Sequence, residues 1–188
     1  MTNSYVAAPD LIWTGHINAR PEVQDGFHRS RTVRFYDTTL RDGEQAVGVV
    51  FSADDKFKIA CHLAELGIGR IESGFPRVSA EDTKAVERIL AANLSSEIWG
   101  FARAVKADID AHIELGTKSI LIEIATSESK MKAYGFRRDK VIARMSEAIT
   151  HARDHGMRVN FFPVDATRSD LDFLRTMYEV AVKAGAQE

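Results

Sequence analysis

The sequence predicts a parallel α/β fold, read as the first five βα units of a closed (β/α)8 TIM barrel, a partial barrel. Three observations carry this reading. From Val33 onward, short apolar runs alternate with longer helical patterns, and such alternation implies parallel βαβ units. Residues 33–188 divide into five units of about 31 residues each; eight such units would need about 250, the usual size of a closed barrel. The loop behind the first strand, "DTTLRDGEQ", is charged, where a doubly wound sheet would carry a Gly-rich phosphate turn. A flavodoxin-like five-stranded sheet is the structural alternative.

The elements follow in order. Residues 1–32 show no sustained periodicity and are punctuated by Pro9, Gly15, Pro21 and Gly26, with Leu11-Ile12-Trp13 the one apolar knot. They read as an extended arm that docks through Trp13. Strands are expected at 33–36, 70–72, 98–102, 119–124 and 158–162, each trailed by a helix with recognisable ends. Ser52 precedes "ADDKFKIACHLAELG", with acids in the first turn and Gly67 past the last. Ser79 heads "SAEDTKAVERILAAN", with Asp82 at the capping-box position. "KADIDAHIELG" closes on Gly116 and "RDKVIARMSEAITHARDHG" on Gly156; Ser169 heads the last helix, which closes on Gly185.

Composition narrows the function classes. Hydrophobic residues make up 45% and charged residues 28% of the 188 residues, as in an ordinary globular domain. A net charge of -2 gives no pull toward nucleic acid or anionic membranes. The single cysteine, Cys61, excludes an internal disulfide framework, and its apolar neighbours suggest a small buried hydrophobe. No apolar stretch approaches the roughly 20 residues that cross a bilayer. The N-terminus lacks a basic region followed by an apolar one, so it does not read as a secretory signal. The expectation is a cytoplasmic protein with neither nucleic-acid nor membrane partners.

The polar residues behind each strand share one rim, because parallel barrel strands all end on the C-terminal face, where barrel enzymes keep their sites. Strand one is followed by Asp37, Arg41, Asp42, Glu44 and Gln45. Strand two ends in Glu72-Ser73-Gly74, strand three in Ala102-Arg103, strand four in Ala125-Thr126-Ser127 and strand five in Val164-Asp165. Glu72, between Ile71 and the apolar "GFP", would be costly to bury unpaired. One reading is a structural ion pair with an arginine of the neighbouring strand. The other is that Glu72 pairs with Arg41 and orients a catalytic guanidinium.

"YDTTLRDGEQ", "IESGFP", "ARAVKADID", "IEIATSESKMK" and "DATRSD" resemble the DRE-TIM metallolyase superfamily. Within it they look like the 2-isopropylmalate synthase and homocitrate synthase branch, which shares an HMG-CoA lyase-like, pyruvate carboxyltransferase-type barrel. The likeness runs from about Val33 to the C-terminus, five motifs in register with five strand ends. It implies a divalent metal that polarises an α-keto acid while acetyl-CoA is deprotonated and condenses with it. By this resemblance Asp42 would be the metal-ligating carboxylate. Arg41 would stabilise enolate or alkoxide charge, with Glu72 holding it in place. Gln45, Arg103, Thr126 and Asp165 would lie at the substrate. A hard oxygen ligand suits Mg2+ or Mn2+, with Zn2+ the alternative, and a Lewis acid suits a keto oxygen.

Two departures qualify the resemblance. The synthases commonly carry a glutamate before the aspartate of "DATR", where Val164 stands here. The family also completes its metal site with a His-x-His pair, which is missing. The histidines stand at 16, 28, 62, 112, 151 and 155. The last four fall in helix patterns and read as solvated helix faces. Three functions follow as expectations. The first is the N-terminal part of an acetyl-CoA-dependent acyltransferase, inactive alone. The second is an HMG-CoA lyase-like carbon–carbon lyase, against which Gln45 leans. The third is a non-catalytic half-barrel subunit or truncated product. Open sheet edges and an uncovered inner face (Phe35, Ile71, Phe101, Ile122 and Phe161, or their alternating neighbours) predict a homo-oligomer or a complementing C-terminal half-barrel chain.

Overall fold

The computed structural model describes residues 20–24 and 33–188. The chain divides into two units, Met1–Val33 and Arg34–Glu188. In the first, α1 (Pro21–Gln24) is a single helical turn. Trp13 lies outside the described residues.

The second unit runs β1 (Tyr36–Asp37), α2 (Ala53–Glu65), β2 (Arg70–Glu72), α3 (Ala80–Ala91), β3 (Glu97–Arg103), α4 (Lys106–Glu114), β4 (Ser119–Ala125), α5 (Glu128–Ala133), α6 (Arg138–Asp154), β5 (Arg158–Val164) and α7 (Leu171–Ala184). All neighbouring strands are parallel, in the order β1-β2-β3-β4-β5. A flavodoxin-like sheet would be ordered 2-1-3-4-5. Sequential order with every crossover helix on one side is the arrangement of a barrel, so the architecture is a half-barrel and the alternative falls.

Helix ends follow the capping signals with two exceptions. Ser52 forms a full capping box with Asp55, and Gly67, Gly116 and Gly156 take the left-handed conformation that ends their helices. Ser79 accepts from the Asp82 amide, but the Asp82 carboxylate turns to Lys56 instead of completing the box. The last helix is capped by Asp170, which accepts from the Phe173 amide at 2.8 Å. Ser169 is drawn away, its hydroxyl 2.7 Å from that of Thr126 and donating to the Asp165 carbonyl.

Strand β1 is shorter than the apolar run that announces it. Its partner β2 starts only at Arg70; Val33 and Phe35 fall outside the strand and are 74% and 65% exposed, although the Phe35 carbonyl still accepts from the Arg70 amide at 3.2 Å. Helix α5 was not expected at all; Ser127 caps it through the Lys130 amide.

Strand side chains alternate between two faces. Ile71, Ile120, Ile122, Ile124, Val159 and Phe161 point into the helix layer and form the apolar core with α2–α7. Of the five residues named for the inner face, Phe101 lies there, and on the other strands the face is taken by their alternating neighbours, the set the sequence left open beside them. The inner face carries Tyr36, Glu72, Trp99, Phe101, Leu121 and Glu123 in register. Arginines lie over two of its aromatic rings, Trp99 and Phe101. Arg70 and Arg158 stand 5.1 and 5.5 Å from the Trp99 ring centroid, and Trp99 is fully buried. Cations over indole faces attract the ring quadrupole. Both guanidiniums also bond the carboxylates of Glu97 and Glu188. Phe162, at 46% exposure, is the large apolar side chain left open on this face. Beside β5, Gln187 N–H donates to the Val159 carbonyl and Phe161 N–H to that of Glu188.

Candidate active site

The rim above the strand ends is built first by the turn behind β1. Asp37 accepts from the Thr39 amide at 2.9 Å and the Thr39 hydroxyl at 3.2 Å. The amides of Arg41, Asp42 and Gly43 all converge on the Thr38 carbonyl. This tight turn sets Arg41 back over the sheet. Its Nε–H donates to Glu72 Oε1, its Nη1 to Asp42 Oδ1 at 2.9 Å, and its guanidinium lies 4.2 Å from the Phe101 ring centroid.

Glu72 is fully buried, and both its oxygens are used, since Tyr36 donates its hydroxyl to Oε2 at 2.9 Å. Burial first, then the adjacent Glu72 charge, push the Tyr36 phenol above its ordinary pKa, so the tyrosine is a fixed donor. A buried carboxylate held by a guanidinium and a phenol is the paired state that interior charge requires. Arg41, Asp42 and Glu72 are therefore brought together as the sequence suggested.

Asp42 is exposed, with 58% of its side chain in solvent. Among the described residues no group of three or more His, Cys, Asp or Glu side chains could hold a metal. Asp42 is a lone carboxylate and Glu72 is consumed, so the residues present do not by themselves make a metal centre.

The other expected site residues are spread along the rim. Gln45 lines a cavity of about 350 Å³ with Arg41, Phe75 and Phe101. Arg103 lies over Phe75 and makes a two-pronged pair with buried Asp108, at 2.7 and 3.1 Å. Arg103 also borders a second cavity of about 280 Å³, with Glu123, Tyr134, Phe136 and Arg144. Thr126 and Asp165 do not reach the Arg41 cluster. The Thr126 hydroxyl binds the Val164 carbonyl and Ser169. Asp165, in left-handed backbone at φ 63, accepts from Arg168 and Ser127; those bonds hold its carboxyl below the usual range.

Three participants escaped the sequence reading. Tyr36 ends the expected strand 33–36, where nothing in the sequence shows whether its hydroxyl is used. Glu123 is the one charge in "ILIEIA"; burial raises its pKa, and the signal that marked Glu72 marks it equally. His112 is fully buried, not solvated. Its Nε2–H donates to the Phe101 carbonyl at 3.0 Å, and Nδ1 accepts from Thr117 at 3.2 Å. It fits only because position 100 is glycine: a Cβ there would stand 2.4 Å from the ring. Cys61 is part-buried and free. Among the described residues no helix is long and apolar enough to cross a membrane.

The chain is 45% identical over 159 residues to a 2-isopropylmalate synthase of Sulfolobus acidocaldarius, covering 84% of this chain and 41% of that one. It is 41% identical over 152 residues to a homocitrate synthase of Methanopyrus kandleri, covering 80% and 38% respectively. It thus spans about two fifths of the length of these relatives. The crystal structure of the Bacillus subtilis HMG-CoA lyase superposes with a TM-score of 0.71 at 14% identity, over 85% of this chain and 57% of that one. That likeness gives the fold. A family model, HMGL-like, matches residues 32–188; with the rim geometry and the synthase relatives, it establishes that the chain belongs to the HMGL-like family.

Proposed function

We propose that this chain supplies the N-terminal five βα units of an acyltransferase that condenses acetyl-CoA with an α-keto acid, as in the 2-isopropylmalate and homocitrate synthases. The observation that carries the reading is the fixed guanidinium of Arg41 at the rim. Condensation turns a keto oxygen into an alkoxide, and a preorganised donor aimed at that developing charge lowers the barrier most. Glu72 and Tyr36 hold the donor from below. Phe101 shields one face, and Arg41 borders the cavity it shares with Gln45 and Phe75. Gln45 and Arg103 flank the position as substrate-binding groups, Arg103 as a carboxylate clamp. Thr126 and Asp165 shape the substrate side by fixing the β4 and β5 ends. Asp42 offers one carboxylate to a divalent cation, Mg2+ or Mn2+, whose other donors come from outside the described residues.

The whole protein completes the barrel, through a complementing half-barrel or its own continuation, and works in the cytoplasm. The test is release of CoA thiol from acetyl-CoA with a panel of α-keto acids. It is run on the chain alone and after mixing with the remaining portion of the Sulfolobus acidocaldarius relative. The chain alone is expected to be silent and the mixture active, with Arg41→Ala costing about 10²–10³ in rate. Thiol release by the chain alone, untouched by Arg41→Ala, would sink the reading. Cleavage of a hydroxyacyl-CoA without condensation would move it to the lyase.

A further inference from the structure

Lys56 sits on the buried stripe of α2 with Ala53, Ala60 and Ala64, and is 2% exposed. A lysine almost never goes that deep unpaired. Its ammonium meets two carboxylates from different elements: Glu44 Oε2 at 2.5 Å, from the loop behind β1, and Asp82, from the first turn of α3. Burial works against the charge, yet Asp82 and Glu44 outweigh it and hold the lysine above its ordinary pKa. Glu44 is gripped at both ends, since its Oε1 accepts from the Phe51 amide at 3.0 Å.

We infer that Lys56 is a positioning residue: a buried latch that fixes the 41–51 loop, and with it Arg41, through Glu44. The inference rests on the reading of Arg41 as the rim donor. Glu44 is three residues from Arg41, within the 3-10 turn Gly43–Gln45, so its tether decides where the guanidinium can stand. That loop is otherwise exposed, with Val47 and Val50 in solvent and no strand to pair with. Asp82 anchors the ammonium from the start of α3. Such supporting groups set whether a site is held within the tolerance that chemistry needs.

The test reads loop order in the purified chain, not turnover, so it stands or falls apart from the condensation activity. Amide exchange across 41–51 and the Arg41 Nε–H resonance are recorded for the wild type, Lys56→Met, Lys56→Arg and Glu44→Gln. Lys56→Met is expected to speed exchange of the loop amides at least tenfold and to shift the Arg41 Nε–H signal, while β4 and β5 amides keep their protection. Lys56→Arg should restore part of both. Glu44→Gln, which leaves the Lys56–Asp82 pair intact, should loosen the loop in the same way if Lys56→Met does not fold. A folded Lys56→Met or Glu44→Gln with unchanged loop exchange and an unmoved Arg41 signal would overturn the inference. So would equal acceleration across the whole sheet.

Discussion

At the scale of single residues the site is a chain of satisfied partners, and each link has a measurable weight. Tyr36→Phe removes the donor to Glu72 Oε2 and leaves a buried carboxylate oxygen bare. An unsatisfied buried acceptor costs about 1–3 kcal/mol, so urea unfolding should show a loss of that order; a loss below about 0.3 kcal/mol would mean water replaces the phenol. His112 makes stability pH-dependent. Burial lowers its pKa below the ordinary value, so the folded state favours the neutral ring. That contribution is fully present above pH about 6.5 and is lost as pH falls through the folded value. The pH profile of His112→Asn should lack this acid limb; an identical limb would assign it to other groups. Glu72 was legible because a charge interrupts an apolar run. Tyr36 was not, because an aromatic in a strand looks the same whether its hydroxyl is used or idle.

At the scale of elements, caps and strand lengths decide what is positioned. Ser52 closes a full capping box on α2, the helix that carries Lys56. Ser52→Ala should cost about 1 kcal/mol in unfolding free energy; no change in the midpoint would show that Asp55 and water hold the helix start unaided. Helix ends, strand order and four of the five strands were legible, since Gly and Ser punctuation and apolar runs are local signals. The errors have non-local causes. Strand β1 is cut short by the length of β2, and Ser169 gives up capping α7 because Thr126 is within reach. The inner set stayed open between two alternating faces in the sequence, because one residue of register exchanges the two faces of a strand.

At the scale of the whole molecule, five parallel strands stack arginines on the inner-face rings of Trp99 and Phe101 and leave Phe162 open. Among the described residues edges remain at β1 and along the part of β5 beyond Phe161, since Gln187 and Glu188 already bond Val159 and Phe161, and unpaired edges recruit other strands. Sedimentation of the purified 20.9 kDa chain should therefore show self-association, or association with a complementing half-barrel; a sharp, cooperatively unfolding monomer would show that the arginine cover suffices. The fold and the site meet in one pair, Arg41 and Glu72, which ties the β1 loop to the rim end of β2. A double-mutant cycle on global unfolding, with Arg41→Met, Glu72→Gln and both together, measures that pair directly. The structure predicts a coupling energy on the order of 1–3 kcal/mol, with the double variant less destabilised than the sum of the singles. A coupling within about 0.3 kcal/mol of zero would mean that Glu72 does not hold Arg41, and the account of the rim would be wrong.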